Sequence, residues 1–179
     1  ERQVVMSRAL SLNFATPIEI TRGQGSYLYQ PDGRGYLDMV NNVAHVGHCH
    51  PRVVAAGQKQ MALLNTNTRY INQAAIEHTR ALAATLPDPL NVVFFVNSGS
   101  EANDLALRIA QHHTGGRGII VTSEAYHGNS FLTAGFSPAL GSHSPLGEHV
   151  HRVLTPDSYR IPADELVARF ADDVAAAIG

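Results

Sequence analysis

One cysteine, one lysine and no long apolar run set the first limits on this 179-residue chain. Cys49 has no second cysteine to pair with, so an internal disulfide is excluded and a reducing compartment, the cytoplasm, is expected. No apolar run approaches the roughly 20 residues that carry a helix across a bilayer. The opening ERQVVMSRAL has neither the apolar core nor the cleavage site of a secretory signal. The basic residues are scattered and the net charge is −2, which leaves no electrostatic footprint for nucleic acid. A phosphate loop needs Lys then Ser or Thr after its second glycine, and Lys59, the only lysine, lies in no such loop. A dinucleotide fingerprint needs GxGxxG after a strand, whereas Gly115-Gly116-Arg117-Gly118 precedes one. ATP and NAD are therefore not the natural ligands. Charged residues are scarce, 16% against 44% apolar, which implies that some surface is covered by a partner or by further chain. The chain starts without Met and is expected to be a piece of something longer.

What is present centres on Asn91 to Ala110, NVVFFVNSGSEANDLALRIA. Five consecutive apolar residues, Val92 to Val96, are too many for alternation and read as a strand buried on both faces, as in a parallel sheet. Ser98-Gly99-Ser100-Glu101 has the spacing of a capping box and starts a helix. On that helix Ala102, Leu105, Ala106, Ile109 and Ala110 form one stripe, with Asp104 and Arg108 paired i,i+4 on the outer side. The unpaired N–H groups of such a helix end attract an anion, phosphate above all; the alternative is an ordinary capped βα unit with nothing bound.

The rest of the chain surrounds this unit. Alternation and turn residues predict a small antiparallel meander from about 18 to 40. Pro51 opens a helix to about Leu64, with Val53, Val54, Gly57, Met61 and Leu64 on one side and Lys59 opposite, solvated. Asn65 to Tyr70 is a polar linker, and a second helix runs from about Gln73 to Thr85. Gly118 to Thr122 reads as a buried strand, Phe131 to Gly147 as loop-rich, and Val150 to Leu154 as a third strand. Pro162 to Asp172 reads as a helix and Val174 to Ile178 as a fourth strand. Strands alternating with helices point to a parallel sheet with crossovers.

Two clusters carry chemistry-bearing side chains. His45, His48, Cys49 and His50 are all ligand types, but zinc sites draw on two separated pairs, so the cluster is read as the lining of a polar cleft and not as a metal site. Tyr126-His127-Gly128 follows the second buried strand and so belongs at the same sheet edge as Gly99 and Ser100. An aromatic there either offers its face to a flat cofactor or plugs the strand end.

Asn97 to Asp104 within Val92–Ala110 resembles the phosphate-binding segment of class III aminotransferases, which use pyridoxal 5′-phosphate on the fold type I scaffold. Tyr27-Leu-Tyr, Asp32-Gly and Tyr36-Leu-Asp are similar to their N-terminal meander. Asn41 to Pro51, Gln60 to Tyr70 and Thr155 to Arg160 resemble the phospho-lyase branch, which includes ethanolamine-phosphate and 5-phosphohydroxy-L-lysine phospho-lyases. The resemblance implies an α/β fold with a mostly parallel sheet, crossover helices and a small antiparallel meander. It divides the chain into an N-terminal segment, 1–65, and the first, incomplete part of the large cofactor-binding domain, 66–179. It implies that Gly99 and Ser100 bind the cofactor phosphate, that Tyr126 stacks on its ring and that His127 and Gly128 shape that wall. Asn42, Arg69 and Tyr70 fall to the substrate side, serving the neighbouring subunit of a homodimer, with Arg69 pairing a substrate phosphate. The family's Schiff-base lysine and pyridine-pairing aspartate have no counterpart here, and Lys59 precedes the cofactor loop, so no catalytic residue is assigned. The expected activity is β-elimination of phosphate from a small phosphorylated amine such as phosphoethanolamine. The alternatives are transfer of an amino group to a keto acid, or a catalytically incompetent half-domain.

Overall fold

The computed structural model describes residues 14–40 and 45–179, and the chain divides into two compact units, one ending at Gln73 and the other starting at Ala74. Asn42 lies outside the described residues.

In the first unit the expected meander is present. Strands β1 (Arg22–Gln24), β2 (Tyr27–Tyr29) and β3 (Gly35–Leu37) pair antiparallel in sequence order, with Arg22 opposite Tyr29 and Tyr27 opposite Leu37. The β1–β2 turn has only Gly25 and Ser26 between the paired residues, and Gly25 takes the left-handed φ of 54° that such a turn favours. The Arg22 guanidinium lies 3.7 Å from the centre of the Tyr29 ring, a cross-strand cation–π contact between paired residues. Helix α1 (Pro51–Leu63) starts on proline as expected. Its apolar side, including Val53 and Met61, is uncovered: Met61 is 75% exposed.

The second unit holds all but the first residue of α2 (Gln73–Ala83), followed by α3 (Gly99–Thr114) and β4 (Ile119–Thr122). The segment read as loop-rich holds the short α4 (Phe131–Ala134) and a single 3-10 turn at Pro138–Leu140. Strand β5 (Val150–Val153) pairs parallel with β4, Ile119 opposite Val150, and α5 (Ala163–Ile178) packs back on β5. Val121, Val153 and Phe136 form the buried apolar core of the described residues. Each contributes roughly 1.5–3 kcal/mol by leaving water.

Two sequence expectations are corrected. Val92 to Val96 belongs to no strand and, Val93 apart, is exposed, Val92 by 76% and Phe94 by 64%. A strand buried on both faces needs a ladder and a covering layer, and among the described residues nothing pairs with this segment. Val174 to Ile178 is not a strand but the last turns of α5. Leu166, Phe170, Val174 and Ala177 are its half-buried positions, an i, i+4, i+8, i+11 stripe that runs through Asp172 and Asp173 without a break. Alanine-rich sequence favours the helix at every step.

Candidate functional site

The site is built on the first turn of α3. Ser98, with extended backbone (φ −156°, ψ 163°), accepts the Glu101 N–H on its hydroxyl at 3.2 Å. The Glu101 carboxylate reaches back one residue further than a capping box requires: it accepts the Asn97 N–H at 2.6 Å and Asn97 Nδ2 at 3.1 Å. Ala102 N–H makes the first bond into the helix, to Ser98 O. The N–H groups of Gly99 and Ser100 are thereby left without a partner among the described residues. A methyl group built on Gly99 would meet nothing within 4 Å, so the space beside that turn is open.

The covered side of α3 is polar. Ser100, Asn103, Asp104, Leu105, Leu107 and Gln111 are its half-buried positions; of the expected apolar stripe only Leu105 is among them, and Ala102, Ala106, Ala110 and Ile109 are exposed. Asp104, expected to face outward toward Arg108, instead accepts the Ser130 hydroxyl at 2.8 Å. The reason is what lies against the helix: the segment from Tyr126 to Ser137, rich in hydroxyls and backbone groups that need partners.

That segment is tied down residue by residue. Asn103 Nδ2 donates to His127 O at 2.7 Å, and the His127 N–H donates to Ser137 Oγ at 2.9 Å. The Asn129 N–H donates to Ser100 Oγ at 3.2 Å, and that hydroxyl donates to Asn129 Oδ1 at 3.2 Å. Gly128 lies between, with φ 137°, and a Cβ there would sit 2.4 Å from Ser100 Oγ and 2.7 Å from Thr133 Oγ1. Only glycine fits both the dihedral and the space. Gly99, Ser100, His127 and Gly128 are therefore brought together at one end of α3, and Tyr126, a residue 58% exposed, adjoins them. The His127 ring tilts against Phe136, centroids 5.2 Å apart, and its Nε2 is buried with no hydrogen-bond partner. It borders an open groove of about 500 Å³, also lined by Asn103, Leu107, Val121 and Phe136.

The remaining candidates lie in the first unit. Arg69 bonds Asn67 Oδ1 through both its backbone N–H (3.0 Å) and Nε (3.1 Å), and Tyr70 is 69% exposed. Lys59 is exposed on α1. In the histidine cluster, His48 Nε2 donates to Asp38 Oδ2 at 2.6 Å, and its backbone bridges to Gly25. Among the described residues no three His, Cys, Asp or Glu side chains converge as metal ligands would.

Asn103, Ser130, Thr133 and Ser137 are not among the site residues read from sequence, and Asp104 enters there only as a partner for Arg108. Their signal was present as spacing: Ser100, Asn103 and Asp104 share one helical stripe, and Ser130, Thr133 and Ser137 recur at i, i+3, i+7.

The sequence profile of the aminotransferase class-III family matches residues 11–178. The chain belongs to that family. A Drosophila melanogaster protein named alanine–glyoxylate aminotransferase 2-like is 48% identical over 147 residues, 80% of this chain and 30% of its own length. The Caenorhabditis elegans ethanolamine-phosphate phospho-lyase homolog 1 is 40% identical over 147 residues, 80% of this chain and 31% of its own. Among solved structures, an Arthrobacter phospholyase in complex with phosphoethanolamine superposes with a TM-score of 0.91 at 39% identity, covering 99% of this chain and 43% of that one. The chain thus spans about a third of the length of these curated relatives. The architecture is that of the fold type I transferases, and the class-III family and its phospholyase and transaminase neighbours depend on pyridoxal phosphate.

The residues present fit that group. Two open N–H groups at a helix end suit a phosphate, the exposed Tyr126 face suits a flat ring, and the open space beside Gly99 leaves room for approach.

Proposed function

We propose that the full-length protein is a pyridoxal-phosphate-dependent phospho-lyase. It takes a small phosphorylated amine such as phosphoethanolamine, removes a proton from the amine-bearing carbon and expels phosphate from its neighbour; water then releases aldehyde and ammonia. One observation carries the reading: the open N-terminus of α3 and the Tyr126-His127-Gly128 turn are held together by direct hydrogen bonds. When bound, the cofactor supplies an electron sink for the carbanion.

In this reading the N–H groups of Gly99 and Ser100, with the Ser100 hydroxyl, hold the cofactor phosphate, and Tyr126 orients its ring. His127 and Gly128 shape the same wall, and the absence of a Cβ at Gly128 lets that turn close on α3. Arg69 offers a guanidinium to a substrate phosphate, its Nε already fixed by Asn67. Asn42 and Tyr70 join it on the substrate side, in a homodimer whose partner surface is supported by the uncovered apolar side of α1. The unpaired Cys49 supports the cytoplasm as the compartment.

The phospho-lyase reading is favoured over amino transfer by the likeness to the Arthrobacter enzyme. The 48% identity to the Drosophila aminotransferase-like protein keeps transfer to a keto acid as the second reading. Incubating the full-length protein with phosphoethanolamine and cofactor separates the two. Phosphate release without any keto acid is expected; amine transfer that needs a keto acid, with no phosphate released, overturns the lyase.

A further inference from the structure

Resting on that functional reading, we propose that Asn103 and Ser137 are positioning residues that lock the peptide groups on both sides of His127 and thereby aim the Tyr126 ring at the cofactor. The His127 C=O is held by Asn103 at 2.7 Å and its N–H by Ser137 at 2.9 Å, so two side chains from separate parts of the chain fix two successive peptide planes. Ser137 has no exposed surface, and its hydroxyl is itself oriented by donating to Thr133 O at 2.6 Å. Thr133 is equally buried and bonds Ser130, which bonds Asp104 on α3. The clamp is thus referred back to the same helix whose end would take the phosphate.

The Tyr126 ring needs such a clamp. The residue is 58% exposed, and among the described residues no aromatic or cationic side chain packs on its ring. Its position is therefore set by backbone: the Ala125 C=O before it is held by the Ala139 N–H at 3.1 Å, and the peptide after it by the His127 N–H on Ser137. A stacking partner must be held within a fraction of an ångström to keep its offset geometry, which makes the supporting hydrogen bonds functional.

The test uses the full-length protein with Ser137→Ala, which deletes the acceptor, and Asn103→Asp, which keeps size and deletes the donor. Asn103→Asp remains informative should the buried Ser137→Ala not fold. Val153→Ala serves as a destabilised control away from the site. Without cofactor, amide exchange over residues 126–129 is expected to quicken tenfold or more in both variants, with α5 unchanged. With pyridoxal phosphate, the dissociation constant is expected to rise tenfold or more and the visible circular dichroism band of the bound ring to fall by half, whereas Val153→Ala lowers Tm and leaves the band as it was. Unaltered exchange over 126–129 overturns the clamp. Faster exchange with an unaltered band and affinity overturns the positioning role. A wild-type protein that shows no band overturns the functional reading, and the exchange result then decides the clamp alone.

Discussion

Ser100 and Asn129 are locked through a single hydroxyl: Ser100 Oγ accepts the Asn129 N–H and donates to Asn129 Oδ1, both at 3.2 Å. An anion at the end of α3 competes for that same hydroxyl proton. A hydrogen bond to a charged group contributes about 1.5–3 kcal/mol and the neutral one it replaces about 0.5–1.5. Ser100→Ala is therefore expected to weaken cofactor binding about tenfold or more. Asn129→Ala, which frees the hydroxyl and leaves the backbone N–H in place, is expected to leave affinity equal or raise it a few-fold. Absorbance titration of each variant with pyridoxal phosphate measures both. A tenfold loss with Asn129→Ala would mean that Asn129 itself holds the anion.

Gly128 and Gly99 are expected to respond oppositely to alanine. At Gly128 the methyl would sit 2.4 Å from Ser100 Oγ at a φ of 137°, so strain of about 1–3 kcal/mol adds to a direct clash. Gly128→Ala should lower Tm and abolish cofactor binding together. At Gly99 nothing lies within 4 Å, and alanine at a helical position reduces unfolded-chain entropy by roughly 0.4–1 kcal/mol. Gly99→Ala should leave Tm unchanged or slightly raised in a thermal melt.

The contrast between these glycines shows what sequence could and could not convey. Ser98 as a cap, Pro51 at a helix start and a turn near Gly23 to Gly25 are local rules, and each is legible because the deciding atoms lie within four residues. Gly128 was legible only as part of a motif, since its constraint comes from Ser100, on another element. The polar stripe of α3 was misjudged for the same reason: helical periodicity says which residues share a side, not what covers it. Val92–Val96 has the composition of a buried strand, but composition carries no pairing partner. Val174–Ile178 is helix and not strand because an alanine core and an unbroken stripe from Leu166 favour it.

Asp157 gives a pH-dependent marker outside the site. The Arg160 side chain's hydrogen bond holds its carboxyl below the usual carboxylate range, desolvation opposing, with the backbone N–H groups of Tyr159 and Arg160 and the Arg160 charge adding to the lowering. A depressed folded pKa means that the contribution is present above the unfolded value, about 3.9, and is lost as pH falls through the folded one. Loosening of the 157–160 turn is expected only below about pH 4. Asp157→Asn, uncharged at every pH, should remove that acid transition and leave the turn at pH 7 as loose as the wild type's is in acid. Amide exchange across this turn between pH 2.5 and 6 reads it directly.

The 179-residue chain by itself should hold the cofactor weakly and associate through exposed apolar surface. Charge-assisted bonds from two N–H groups and one hydroxyl at about 1.5–3 kcal/mol each give at most about 9. Immobilising the ligand takes back about 4 kcal/mol or more, which leaves at most about 5 and a dissociation constant of about 0.2 mM or weaker. Lys59, the only lysine, is exposed on α1 and adds no covalent link in this reading. Val92, Phe94 and Phe95 are meanwhile 76%, 64% and 53% exposed within five residues, apolar surface that favours association. Replacing Phe94 and Phe95 with serine should reduce self-association in sedimentation without altering the far-ultraviolet circular dichroism, because neither residue lies in a helix or strand. Tight cofactor binding by the isolated chain, with a stable imine band at neutral pH, would show that a lysine within these residues does react, and Lys59 would be the one to substitute.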